Sequence, residues 1–426
     1  MVEEEKQKDD DDVPPISMKT LFIKVFLPFF FICLTYHGNL ILYPIFLRKM
    51  FNASDSFIGL AATVGNVGDL CSSIPVGKFI ASYGTRQAEL MATTLVVLAY
   101  VFFSIPSAVE LTCVYNFVLC AGFNCFFLAQ HTFLTANVPK HISGRVFAFT
   151  GGTWQVSGIV GALMIALFVH LSGLYMSFLL LCPIVLTTMT IQYFFFHDEI
   201  NTGTKSKITS KEDDGRKKEE DVATTSMESI NVEIRTKQIE IIYDFRKELC
   251  ALGGYGVLLM LCRFGRIVLI PLTGMAIGLS VTNIAIVTAA SFFCASLVFP
   301  LSGYVMDKYG RKVNCILTPS VMACGFGIMI FAKDFTALLI ACIVIGFGNG
   351  MSTGLIMALG GDYAPNDERR GPFLSIFKLV FGTGQLIGPV FAGVVSDLFG
   401  VSGGAIALTI CCCLNALWGI VFVKTK

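Results

Sequence analysis

Two arginines, Arg263 and Arg266, stand inside an apolar run one helical turn apart. Arg263 falls about 14 residues into that run, roughly 21 Å at the helical rise. That is near the middle of a hydrocarbon layer about 30 Å thick. An ionised side chain there costs about 2.5–3.5 kcal/mol on insertion scales, so it needs a partner, a wet cavity or a function. Guanidinium groups bind the oxygens of carboxylate, sulfate or phosphate in pairs, and this spacing puts both on roughly one helix face. The chemistry implied is recognition of an anion. His37 lies in an earlier apolar run, and Asp69 lies within Asn66-Val67-Gly68-Asp69. Either could carry a proton.

Each of these residues also has a structural reading. One or both arginines could be neutralised by a protein carboxylate or capped by carbonyl oxygens. Asp69, the carboxylate read as nearest the membrane centre, could pair with an arginine, with Lys378, or simply bond one helix to another. The sequence leaves these open.

The elements that must position them are helices in a membrane. The 426-residue chain is 54% hydrophobic and 14% charged, against about 25% charged for a soluble domain. Apolar runs long enough to span fall at about 21–47, 56–82, 87–106, 111–136, 145–169 and 172–196, then 249–275, 282–306, 313–332, 335–359, 372–396 and 402–423. The organisation expected is an acidic, disordered tail (1–20), six helices (21–196), a polar linker (197–248), six helices (249–423) and a short tail (424–426). The end of the linker, Ile230 to Arg246, is expected to form a surface helix. A net charge of +1 gives no electrostatic case for nucleic acid. The fifteen cysteines lack zinc spacing and read as packing residues. No metal or other cofactor, Ser/His/Asp arrangement or paired acids are indicated, which disfavours an enzyme. The acidic start resembles no cleavable signal, so the first run is expected to remain a membrane helix.

Basic residues fix the expected orientation. Lys78, Arg86, Lys140, Arg145, Lys308, Arg311, Lys312, Arg369 and Arg370 fall on one side, whereas Arg48, Lys49 and Lys333 fall on the other. Both termini are therefore expected in the cytoplasm. The sequon Asn52-Ala53-Ser54 then lies outside, in a loop short enough to keep Asn52 close to the membrane.

The chain repeats itself. Gly303, Tyr309, Gly310 and Lys312 recur 226 positions earlier as Gly77, Tyr83, Gly84 and Arg86, and His37 is the mate of Arg263 at the same offset. The second loop carries Gly303, Asp307, Gly310, Arg311 and Lys312, and this pattern resembles the loop signature of the major facilitator superfamily of membrane transporters. The first copy departs from it, with Ala81 in place of the acid and Thr85 in place of a basic residue. The resemblance covers nearly the whole chain. It implies an all-α fold of twelve transmembrane helices in two pseudo-symmetric bundles. It also implies a central cavity lined by the first, fourth, seventh and tenth helices, which adds Tyr36, Asn39, Asn124, Gln130, His131, Asn349, Ser352 and Thr353 to the candidates, with Trp154 and Gln155 from the fifth. It implies a gate in which Asp307 faces the helix starting near Arg145. The function implied is secondary transport by alternating access, and the arginines favour a small organic anion. A drug or cation exporter, or a sensor that does not transport, are the alternatives. The expected partners are a small-molecule substrate and the bilayer, with protons as an open alternative, and the expected functional unit is a monomer in the plasma membrane or an acidic organelle.

Overall fold

The computed structural model describes residues 22–138, 140–195, 241–352, 354–365 and 369–423. The expectations for 1–20, for most of 197–248 and for 424–426 lie outside them. The described residues are helical, and ten helices are long and apolar enough to cross a membrane.

The first half contains α1 (Leu27–Phe51), α2 (Asp55–Tyr83), α3 (Thr85–Ser104) and α4 (Val109–Asn137), with one π-helical turn, Phe22–Phe26, leading into α1. Then comes Lys140–Phe195, 56 residues. As one straight helix it would run roughly 84 Å, far more than a bilayer core needs. Gly173, at φ 77°, breaks it into α5 and α6. The second half contains α7 (Arg246–Ala276), α8 (Val281–Tyr309), α9 (Arg311–Ile330) and α10 (Phe335–Ser352), which continues past Gly354 as Leu355–Tyr363. The stretch Arg370–Phe422 is divided by Gly400, at φ 75°, into α11 and α12. Counting these two long stretches as hairpins turns ten apolar helices into twelve crossings. The seventh crossing starts earlier than hydropathy indicates, because Arg246, Lys247 and Glu248 add a polar first turn.

The repeat holds at the level of caps. Ser54 accepts from the Phe57 N–H and Ser280 from the Asn283 N–H, both at 3.2 Å, which starts α2 and α8 alike. The preceding helices end in left-handed residues, Asn52 at φ 50° and Gly278 at φ 79°. In the charged loops the second glycine of each copy, Gly84 (φ 86°) and Gly310 (φ 85°), adopts a conformation that a side chain disfavours. The sequon occupies the tight α1–α2 connection, and its Ser54 hydroxyl is the helix cap.

The two halves touch at the Asn52/Gly278 end. Along the α2–α11 seam, Ser56 donates to Asp397 (2.7 Å), Thr63 to the Leu386 carbonyl (2.9 Å) and Asn66 to the Gln385 carbonyl (3.0 Å). Further along the same faces, toward the Gly84/Gly310 end, Gly77 and Gly382 meet nothing within 4 Å and Lys378 is exposed. The seam is closed at one end and open at the other. Across the second seam, α5–α8, the Phe292 ring covers Gly158. All fifteen cysteines are free thiols.

Candidate functional site

Arg263 projects from α7 toward α10, where its Nε donates to Asn349 Oδ1 at 3.0 Å; it is half-buried. Arg266, one turn on, is 8% exposed. Its Nη1 donates to Ser291 Oγ at 3.3 Å, its guanidinium carbon lies 5.8 Å from the centre of the Phe292 ring, and its Nε has no partner. Ion pairs among the described residues include Arg48–Asp55, Arg311–Asp307, Arg311–Asp362 and Arg369–Asp244. Among the described residues no carboxylate lies within ion-pair distance of Arg263 or Arg266.

His37 is buried. Its Nδ1 donates to the Cys33 carbonyl at 2.8 Å, which leaves Nε2 as the acceptor nitrogen, and that atom has no partner. Edge-on contacts with Trp154 (4.5 Å between centroids), Phe292 (4.8 Å) and Tyr36 (5.6 Å) wall the ring in. His37 and Arg266 thus meet at Phe292, whereas Arg263 faces Asn349.

Asp69 is half-buried on the α2–α11 seam, where its Oδ2 accepts from Gln385 Nε2 at 3.3 Å. It pairs with neither arginine. Asn124 donates to the Asp69 carbonyl and to Ser72 Oγ, both at 2.8 Å, and so ties α4 to α2. Ser352 Oγ bonds back to the Asn349 carbonyl of its own helix (2.6 Å). Gln130 is buried with both side-chain polar atoms unpartnered, and Gln155 is buried with its Oε1 unpartnered. His131 is exposed. The side chains of Thr353 and Arg145 lie outside the described residues.

Two clefts open beside α1 and α7. The larger, about 470 Å³, includes Tyr36, Asn39, Asn66 and Phe264 but not Arg263; the smaller, about 330 Å³, includes Arg266 and Phe292. Leu40 and Ile267 line both.

At the charged loops, Asp307 has an 81% exposed side chain and lies 3.5 Å from Arg311 of its own half. The stronger partner of Arg311 is Asp362, at 2.9 Å. Lys312 is half-buried, and the first-copy Arg86 donates to the Tyr193 carbonyl at 2.9 Å. Gly77 and Gly303 both have open space beside them.

Several residues here escape sequence reasoning. Glu89, one turn after a charged loop, is fully buried and accepts from Gln192 Nε2 at 2.8 Å. Ser291, Phe292 and Gln385 matter only through contacts with distant helices. The offset of 226 gave no hint of them.

The profile of the family described as "Major Facilitator Superfamily" matches residues 25–247 and 252–426. A multi-drug resistance efflux pump PmrA homolog from Lactococcus lactis is 29% identical over 161 residues, 36% of this chain and 38% of that protein. The vesicular acetylcholine transporter unc-17 of Caenorhabditis elegans is 28% identical over 120 residues, 28% of this chain and 23% of that protein. These matches therefore span well under half of either relative. Among solved structures, one of a proton-dependent oligopeptide transporter superposes with a TM-score of 0.72 at 14% identity, covering 95% of this chain and 98% of that one. The nucleoside transporter NupG gives 0.71 at 12% identity, covering 95% and 100%. At these identities the likeness is one of fold.

Proposed function

Because the chain belongs to the Major Facilitator Superfamily and is a multi-pass membrane protein, we propose that it is a secondary transporter of small organic anions working by alternating access. One observation carries the substrate class: two guanidinium groups lie deep in α7 with no carboxylate beside them among the described residues. Permanent neutralisation by a protein acid is the competing use of such arginines, and Asp69, the obvious candidate, is engaged with Gln385 instead. A substrate carboxylate would supply the missing charge, with Arg263 as the reachable partner and Arg266 extending the positive field.

With the basic loops placed in the cytoplasm, the closed end of the α2–α11 seam faces outward and the open end faces the cytoplasm. The protein is then in an inward-open state. Asp307, exposed and paired only within its own half, fits a gate contact that forms when the cytoplasmic end closes. Asp69 sits where the seam changes from closed to open, so its bond to Gln385 would break and reform in each cycle. This makes it our proton-coupling candidate.

A cation or drug exporter is the second reading. It is favoured by the multi-drug efflux pump and the acetylcholine transporter among the relatives and by the aromatic rings of Tyr36, Phe127 and Trp154, which lie 5.4–6.1 Å apart. Two unneutralised arginines nearby would repel a cation. Uptake by proteoliposomes of matched anion and cation panels, in wild type and Arg263→Gln, separates the two. Anion uptake that is lost in the variant supports our reading, and uptake of cations alone overturns it.

A further inference from the structure

The run Gly346-Phe347-Gly348-Asn349-Gly350 in α10 alternates glycine with larger residues. Each of its glycines is a place where the helix touches a neighbour. A Cβ on Gly346 would strike the Ser291 carbonyl oxygen, and one on Gly350 would come within 2.8 Å of Ala295 Cα, both on α8. A Cβ on Gly348 would lie 2.6 Å from Met322 Cγ and 3.1 Å from the Thr318 carbonyl oxygen, both on α9. The backbone on either side of Asn349 is therefore held against two helices at close range. Asn349 itself is 3% exposed, and its Oδ1 is the acceptor for Arg263 Nε at 3.0 Å.

That this acceptor is an amide decides what Arg263 can do. An amide oxygen fixes the plane of the guanidinium and leaves its charge. A carboxylate in the same place would fix the plane and cancel the charge, and breaking such a buried pair is costly. The Nε–H is also spent. Nη1 and Nη2 donate to no described residue, and together they form an edge that takes two oxygens of one carboxylate group. Arg266 is held in the same way, since Ser291 Oγ, a second neutral acceptor, receives its Nη1 at 3.3 Å. The first half lacks this arrangement. At the offset of 226, His37 stands for Arg263 and Phe123 for Asn349, and the Phe123 ring packs on Tyr36 at 4.9 Å.

We propose that Asn349 is a positioning residue of the anion site: a neutral clamp that aims the Nη1–Nη2 edge of Arg263 and leaves its positive charge for the substrate. It acts through Arg263 and not by touching the substrate. This rests on the organic-anion reading above. It adds that α10 sets the charge of the site as much as α7 does, so that a carboxylate at position 349 should close the site to anions.

The test measures dissociation constants of benzoate, lactate and succinate by calorimetric titration of the purified full-length protein. Asn349→Asp is isosteric and supplies Arg263 with a partner charge. It should weaken binding at least tenfold, as Arg263→Gln does, while its ligand-free melting temperature stays at or above that of wild type. A residue that only packed α10 would show affinity lost in step with stability. Asn349→Ala keeps the charge of the site and loses the clamp, and should weaken binding about fivefold, the worth of one modest hydrogen bond. Wild-type affinity in Asn349→Asp, with binding lost in Arg263→Gln, would overturn the clamp and leave the anion reading intact. If Asn349→Asp does not fold, wild-type affinity in Asn349→Ala would overturn the clamp instead. Failure of wild type to bind any of the three acids, or affinity unchanged in Arg263→Gln, would overturn the anion reading and this inference with it.

Discussion

Replacing Gly393 by alanine should push the protein away from the state seen here. A Cβ on Gly393 would strike the Asp55 carbonyl oxygen and come within 3.0 Å of Gly59 Cα and 3.1 Å of the Asp55 carbonyl carbon. All three are backbone atoms of α2, so no side chain can swing aside. Normal carbon contacts need about 3.5–4.0 Å, and the α2–α11 seam would have to part by several tenths of an ångström at its closed end. Overpacking of one methyl costs about 1–3 kcal/mol. Alanine also gains about 1 kcal/mol over glycine in a helix, but that gain is the same in both end states and cancels. The strain exists only where the halves touch, so the state seen here should lose a factor of roughly 5–150 in population. Hydrogen–deuterium exchange reads this directly. In Gly393→Ala, exchange should rise in peptides covering 55–66 and 386–397 and fall in those covering 72–82 and 375–382. Gly382→Ala, on the same helix where a Cβ meets nothing within 4 Å, should leave the wild-type exchange pattern unchanged. A Gly393→Ala protein that folds, with exchange in 55–66 and 386–397 identical to wild type, would refute the close-contact account of the seam.

Further predictions follow from the same geometry. Asp69→Asn keeps an acceptor for Gln385 but cannot cycle a proton. It should flatten the pH dependence of uptake while leaving exchange of preloaded substrate measurable, and an unchanged pH profile would remove Asp69 from proton coupling. Asp307→Asn should alter stability by less than about 1 kcal/mol, because the Asp307–Arg311 pair is largely exposed. It should nevertheless slow transport more than Ala81→Asp, and equal rates in the two variants would count against a gate at Asp307. Gly310→Ala forces a side chain into a left-handed conformation (φ 85°), a penalty of about 1–2 kcal/mol, visible as a lower melting temperature than that of Gly303→Ala.

Much of the fold was legible because membrane helices announce themselves. Their backbones must bond internally in lipid, so each crossing is a long apolar run. The repeat was legible through glycines whose backbone geometry admits little else, Gly84 and Gly310 above all. Boundaries were less so: the polar first turn of α7 escapes a hydropathy window, and Gly354 inside α10 interrupts an otherwise continuous apolar pattern. At the candidate site, Arg263, Arg266, His37 and Asp69 stood out because charge in an apolar run is conspicuous. Their partners did not. Whether Arg266 finds an acid or Ser291 depends on how α7 packs on α8, and whether Asp69 meets Lys378 or Gln385 depends on the closure of a seam between residues more than 300 positions apart. Asn124 was conspicuous as a polar residue in an apolar run, but that its amide ties α4 to α2 by bonding Asp69 and Ser72 was not legible.

The central claim is that the arginines of α7 bind an anionic substrate. The most direct measurement is anion-evoked current or uptake in proteoliposomes, comparing wild type with Arg263→Gln at matched protein content. The account predicts saturable uptake of small organic anions by wild type and at least a tenfold loss in the variant, with the fold confirmed by an unchanged melting profile. Anion uptake equal in both proteins would contradict it.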